Sequence, residues 1–408
     1  MAEKKKPEIR FKGFNDDWKQ HELGEVVGVY DGVHQTPDYK GSGIMFLSVE
    51  NITTLKSEKF ISEEAFERDY KVYPQKGDIL MTRIGDVGTP NVVETAEKVA
   101  FYVSLALLKP SKVDSYFLCN SIQSPSFQKS LKNRTLVTAI PQKINKDEIG
   151  KIGLVLSTSR KEQQQIGAYF KQIDSLITLH QRKYGKLQNL KKAMLEKMFP
   201  RDGADVPEIR FKGFTDAWEK RKVGDLTNVA SAARVHKEEW ASSGIPFFRS
   251  SDVVSAYKGT ENEKVFISRE LYEHLAKASG KLEKNDILIT GGGSIGIPYI
   301  VTNNEPLYSK DADLIWVKNS EKFNSQYLYT YFISPEFRKY LSSISHIGTI
   351  AHYTIEQVKE TPICLPSIHE QNMIGSYFTQ LNNLITLQQR ELGKLQNIKK
   401  TLLDKMFV

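Results

Sequence analysis

Residues 7–18 read PEIRFKGFNDDW, and residues 207–218 read PEIRFKGFTDAW. Pro7 faces Pro207 and Trp18 faces Trp218, an offset of 200. The match extends outward from this pair. Gly24 faces Gly224, GIMFLSVENI (43–52) faces GIPFFRSSDV (244–253), and GDILMTRIGDVG (77–88) faces NDILITGGGSIG (285–296). SPSF (124–127) faces SPEF (334–337), and GKLQN (185–189) recurs at 393–397. A period near 200 is far above the ~20–50 residues of a solenoid repeat, so a whole domain is duplicated. Similarity is high at the entry and in the last helix. It is low between them, where QTPDYKGSG (35–43) and VHKEEWASSG (235–244) share little. The pattern describes one scaffold, built twice, carrying two different surfaces.

Short apolar runs bounded by Gly, Asp or Pro predict strands at Ile44–Val49, Asp78–Thr82 and Ile152–Leu156. Their counterparts are Ile245–Phe248, Asp286–Thr290 and Thr361–Leu365. Phe117–Leu131 and Tyr327–Leu341 read as helices. Each unit is therefore mixed α/β, with long polar connections of the kind that carry binding.

Lys161–Phe199 contains no proline and keeps a seven-residue pattern. One seam is Ile166, Ile173, His180, Leu187, Met194, and its neighbour is Phe170, Ile177, Tyr184, Lys191, Met198. The second copy repeats them as Ile374, Leu381, Gln388, Leu395, Leu402 and Phe378, Ile385, Leu392, Lys399, Met406. A heptad sustained this long argues for coiled-coil packing, over roughly 55–60 Å at ~1.5 Å per residue. The first helix ends where the second unit begins, at Pro200 and Pro207. If the second helix packs on the first it must run back antiparallel, which gives an approximate two-fold axis. His180 and Gln388 place polar groups in the seam, as a pairing device or as solvated positions. The fold expected is α+β: two pseudo-symmetric mixed α/β domains separated by two long antiparallel coiled-coil helices. The boundaries are 1–158, 159–200 (first helix), 201–366 and 367–408 (second helix).

Composition narrows the function. The 408 residues, 40% hydrophobic and 26% charged, are globular in character. The net charge of +8 fits a polyanionic partner without requiring one. The two cysteines, Cys119 and Cys364, form neither a metal cluster nor a disulfide framework and point to a reducing cytoplasm. The charged N-terminus precedes no apolar stretch of a signal peptide, and no run approaches the ~20 apolar residues of a membrane helix. Gly291-Gly292-Gly293-Ser294-Ile295-Gly296 formally satisfies GxGxxG, but Ile297–Val301 reads as a strand where a dinucleotide site needs a helix. These glycines read as a turn, open to a phosphate or simply structural. There is no phosphate-binding loop, no Asn/Asp-Pro-Pro-aromatic run and no HExxH, and no acid/base pair or nucleophile constellation can be assembled. Asp16 and Asp17 read as a turn before a Trp18 anchor.

A duplicated unit that opens with PEIRFKGF…W, carries GDIL-(M/I)-T…G…G and closes with LQNLKKAMLEKMF resembles the specificity subunits of type I restriction-modification systems. The most specific part is the pair of endings KLQNLKKAMLEKMF (186–199) and KLQNIKKTLLDKMF (394–407). The chain departs from its own repeat at LSTSRKEQQQIG (156–167), which has one residue more than LPSIHEQNMIG (365–375) and lacks its proline. The resemblance implies a non-catalytic, cytoplasmic subunit bound to double-stranded DNA, with no membrane partner. Each globular unit would be a target-recognition domain reading one half of a split site. The helices would set the gap and dock two methyltransferase subunits, and restriction/translocase subunits would join them. S-adenosylmethionine, ATP and Mg would sit on those partners, with no cofactor in this chain. Half-sites one helical turn apart lie ~34 Å apart, within reach of the expected helical rod.

Sequence readout needs polar side chains aimed at base edges from a fixed scaffold. Candidates at strand ends that differ between copies are Thr82, Arg83, Gln142, Lys143 and Asn145 in the first unit. In the second they are Arg249, Ser250, Ser294, His352 and Thr354. Lys143 and Thr354 look equivalent, each preceding an isoleucine. Arg83→Ala is expected to abolish recognition of one half-site only. Two other classes stay open on the residues alone: a self-contained restriction or methylation enzyme, which the length disfavours, and a structural or RNA-binding adaptor.

Overall fold

The computed structural model describes residues 6–201, 203–310, 313–344 and 352–408. The chain forms two compact units, one of Met1–Arg182 with Gln389–Val408 and one of Lys183–Gln388. Each of the two long helices begins in one unit and ends in the other: Arg160–Lys197 starts in the first, and Ile368–Lys405 starts in the second.

The first unit holds three sheets. Lys19–Glu22 pairs antiparallel with Gly153–Leu156, closing the entry segment onto the last strand. Val27–Asp31, Leu105–Pro110, Ile79–Ile84 and Asp86–Val92 lie in that order in an antiparallel sheet. Phe60–Ile61, Ile44–Leu47 and Val99–Phe101 form the third, with the last two parallel. The second unit repeats this architecture. Glu219–Lys222 pairs with Pro362–Leu365. Val229–Ala230, Leu314–Val317, Ile287–Thr290 and Pro298–Ile300 make the four-stranded sheet. Phe266–Ile267, Ile245–Phe248 and Tyr308–Ser309 make the three-stranded one. The predicted strands all form, within two residues of their expected ends.

The repeated entry motif works as a clamp. Arg10 donates to Glu162 through Nε (2.5 Å) and Nη2 (2.9 Å), and Trp18 Nε1 donates to the same carboxylate at 3.2 Å. Arg210 holds Glu370 in the second unit at 2.7 and 2.8 Å. Both glutamates are fully buried at the start of a long helix. A forked, charge-assisted pair at such a site fixes orientation as well as contributing energy. The motif recurs because each copy must fasten a chain entry to a helix start. Trp18 is the expected anchor, buried against Phe117 and Phe407.

Phe117–Leu131 is two helices, Ser115–Gln123 and Pro125–Arg134, and Tyr327–Leu341 is likewise Ser325–Phe332 and Pro335–Ile344. Proline lacks the N–H and disfavours helical backbone in the residue before it. Ser124 and Ser334 turn that break into a start: each hydroxyl accepts from the N–H three residues on, at 3.4 and 3.3 Å.

Within the first unit the long helices run antiparallel, as expected. Phe407 packs on Phe170 with ring centroids 5.8 Å apart, and Lys399 pairs with Asp174 at 2.7 Å. In the second unit Leu195, Met198 and Phe199 share a core with Ile374 and Phe378. His180 and Gln388 are both half-buried. Outside the seam each helix exposes apolar side chains at matching positions. Leu176, Leu179 and Leu190 on the first helix correspond to Leu384, Leu387 and Ile398 on the second, each more than 40% exposed.

Candidate nucleic-acid interface

The end of strand Ile79–Ile84 organises the candidate residues of the first unit. Ile144 N donates to Arg83 O at 3.0 Å, and Gly85 N donates to Gln142 O at 2.9 Å. Gln142 Nε2 returns a bond to Gly85 O at 3.0 Å. Residues 142–144 are thereby stitched beside the tight turn at Gly85, and Gln142, Lys143 and Asn145 are exposed there. Asn145 stands at the N-cap of helix Lys146–Gly150 with no side-chain cap bond.

Thr82 and Arg83 lie beneath this edge. Thr82 is fully buried and its hydroxyl accepts from Thr89 N at 2.9 Å, which shapes the hairpin. Arg83 is buried in an ion pair with Asp31, 52 residues away. Burial pushes its pKa down, because desolvation disfavours the charged form. Its Nε is buried with no hydrogen-bond partner among the described residues.

In the second unit Asp313 O gathers the site, accepting from Ser250 Oγ at 2.8 Å and Gly291 N at 2.8 Å. Tyr353 N donates to Gly291 O at 2.8 Å, which brings the exposed His352 beside the turn. Arg249 is half-buried. It is held by Asp252 (2.9 Å) and by Glu263 O (2.5 Å), and it lies over the Trp240 ring at 5.6 Å. Ser294 is exposed on the glycine turn. Thr354 is exposed but caps helix Ile355–Lys359, accepting from Gln357 N at 3.3 Å.

Equivalences follow from these bonds. Ile144 N and Tyr353 N bind matching carbonyls, those of Arg83 and Gly291. Lys143 therefore corresponds to His352, and Asn145 to Thr354, each the N-cap of a five-residue helix. The alignment of Lys143 with Thr354 on a shared isoleucine was two residues out of register. The chemistry at both positions still differs between the copies.

Packing requires one glycine of the turn in each unit. Gly88 and Gly296 have positive φ (98° and 70°). A Cβ on either would meet a leucine side chain, Leu131 at 2.1 Å or Leu341 at 2.3 Å. Strand Pro298–Ile300 follows the second turn, so no helix N-terminus is there to face a pyrophosphate.

Sequence reasoning marked the segments 35–43 and 235–244 as different but chose no residue from them. The structure gives each an open groove. In the first unit His34, Gln35, Thr36, Lys40 and Arg68 surround about 820 Å³. In the second Arg234, His236, Lys237 and Lys310 surround about 480 Å³. The signal in the sequence is a local loss of similarity inside a duplicated frame. Among the described residues no three His, Cys, Asp or Glu side chains could together hold a metal ion, and no helix is long and apolar enough to cross a membrane.

The family model described as type I restriction modification DNA specificity domain matches twice, over residues 15–189 and 215–397. A putative type I restriction enzyme specificity subunit of Haemophilus influenzae is 31% identical over 172 residues, 40% of this chain and 41% of that protein. The MjaVIII specificity subunit of Methanocaldococcus jannaschii is 25% identical over 67% of this chain and 65% of its own length. These alignments span under two thirds of either relative. The crystal structure of a type I restriction-modification S subunit from M. genitalium superposes with a TM-score of 0.67 over 99% of both chains at 15% identity, which is a likeness of fold.

Proposed function

The chain belongs to the type I restriction-modification specificity subunits, and from that premise we propose that each of its units reads one half of a split double-stranded DNA site. One observation carries the proposal: matched positions on two copies of one fold present different chemistry. Lys143 stands where the second unit has His352, Asn145 where it has Thr354, and Arg83 where it has Gly291. The frame beneath them, from the Arg10–Glu162 and Arg210–Glu370 clamps to the glycine turns, is the same. A duplicated scaffold with exchanged edge residues is what two unlike base sequences require, because base identity is read by donor and acceptor pattern.

Gln142, Lys143, Asn145, Ser294 and His352 would face bases or phosphates directly. Thr82, Arg83, Arg249, Ser250 and Thr354 would support that edge from below or from a cap. Scattered exposed lysines would supply the salt-dependent part of the affinity. The two 38-residue helices would fix the gap between the half-sites. Their matching exposed residues, Leu176 and Leu179 on one and Leu384 and Leu387 on the other, support two equivalent docks for two methyltransferase subunits. Those partners would bind S-adenosylmethionine, and restriction/translocase subunits would bring ATP and Mg. The chain itself supplies recognition, not catalysis, in the cytoplasm where its DNA lies. The test is base-resolution mapping of N6-methyladenine in host genomes with and without this gene, its methyltransferase subunit being present in both. A methylated motif of two short blocks with a fixed gap, seen only with the gene, is the expected result. Absence of any new motif from an assembled complex contradicts the reading.

A further inference from the structure

Residues 135–143, TLVTAIPQK, form a finger beside the Gly85 turn. Its base is closed by a bridge between Leu136 and Lys143, with Leu136 N donating to Lys143 O at 2.8 Å and the reverse bond at 3.4 Å. Lys143 also bridges to Ile84, and Gln142 is bonded to Gly85 on both sides. Ala139 N donates to Leu136 O at 3.3 Å inside the finger. The loop is therefore a tied element and not a slack connection. Its side chains run against the usual rule for such a loop. Ile140 is 100% exposed, Val137 59% and Leu136 45%.

Single apolar residues on a surface need no explanation. Three on one tied finger, with a β-branched residue at full exposure, call for something to cover them. Exposed Lys132 and Lys143 flank the finger, and Gln142 lies at its base. An apolar tip between cations matches duplex DNA, where phosphates border apolar base faces and thymine methyl groups. A protein–protein dock would favour a flatter apolar patch with fewer cations.

We propose that Ile140, supported by Val137 and Leu136, makes apolar contact with bases of the first half-site. It does so either by entering between stacked bases, as apolar wedges do, or by packing on a thymine methyl. The proposal rests on the reading that the first unit binds DNA. It adds a specificity-determining residue that makes no hydrogen bond. The corresponding segment of the second unit, 345–351, lies outside the described residues.

The test uses the full-length chain assembled with its methyltransferase subunit. The probe is a duplex carrying the split site returned by methylation mapping, against one with the first block scrambled. Ile140→Ser should weaken binding to the intact site by about ten-fold or more, the loss expected for an isoleucine no longer buried. Binding to the scrambled duplex and the salt slope should stay unchanged, because no phosphate contact is removed. Ile140→Leu should restore most of the affinity. A rise in 2-aminopurine fluorescence at one step of the first block, absent with Ile140→Ser, assigns the contact to unstacking. Loss of affinity on replacing one thymine by uracil assigns it to a methyl group. If Ile140→Ser binds both duplexes like the wild type, the contact is refuted while half-site reading stands. If the variant binds DNA normally but sheds the methyltransferase subunit, the finger faces protein and the proposal falls. If the wild type itself prefers no sequence, half-site reading fails and this contact fails with it.

Discussion

Phe407, one residue from the end of the chain, belongs to the core of the first unit. Its ring centroid lies 5.3 Å from that of Phe117, 5.8 Å from Phe170 and 6.3 Å from Trp18, and the side chain is 6% exposed. The second unit has Phe199 in the same role, against Trp218, Tyr327 and Tyr331. Phe407→Ala should therefore damage a unit whose main part, residues 1–182, lies more than two hundred positions away, and spare the unit of residues 183–388 that precedes it in the chain. Removing a buried phenylalanine costs about 3–5 kcal/mol. For a unit of this size each kcal/mol lowers the transition by roughly 2–4 °C, so the first unit should melt roughly 6–20 °C earlier. Calorimetry should show one transition moving down while the other stays in place. Hydrogen exchange should locate the lost protection in peptides around Trp18, Phe117 and Phe170, with those around Trp218 and Tyr327 unchanged. Equal loss in both units, or none in either, would refute the assignment of the C-terminus to the first unit and the closed duplication with it.

Three further predictions follow from asymmetries between the copies. Lys399 pairs with Asp174; in the repeat their counterparts are Lys191 and Asn382, and burial pushes the Lys191 pKa down. Asn382→Asp should supply the missing carboxylate and raise the melting temperature of the second unit by a few degrees, roughly 1 kcal/mol; no change, or a fall, counts against the inferred equivalence. Arg83→Ala leaves Asp31 without its buried partner. It should destabilise the first unit and weaken recognition of the first block only, and the double variant Arg83→Ala/Asp31→Ala should recover roughly 1–3 kcal/mol of stability; additive losses in thermal melts would contradict the coupling. Lys143→Ala should lower the slope of log K against log salt by about one if that lysine meets a phosphate. An unchanged slope with altered base preference would make it a base contact.

The duplication was legible because each copy must repeat the residues that fasten it: Arg10 and Arg210 to their glutamates, Trp18 and Trp218 into their cores. The heptads were legible because helical burial has a fixed period. The two Ser-Pro breaks were also written plainly, but the apolar periodicity on either side of them ran on and hid them. The candidate interface was legible only to the level of which loops differ. Arg83 has the right chemistry at a strand end, yet Asp31 lies on a strand 52 residues earlier and becomes its neighbour only when strand Leu105–Pro110 sits between them in the sheet. Ser250 likewise meets Asp313 through the tertiary fold alone. The register at Lys143 and His352 needed the backbone bonds to Arg83 and Gly291, because a shared isoleucine one step along the chain offered a false match.

The most direct test of half-site reading is a domain exchange followed by methylation mapping. Residues 1–160 are replaced by those of a relative with a different target, keeping residues 161–408 and the methyltransferase subunit. If each unit reads one half, N6-methyladenine mapping will return a motif with one block changed, the other block intact and the gap preserved. A motif in which both blocks change, or in which neither does, would contradict independent reading by the two units.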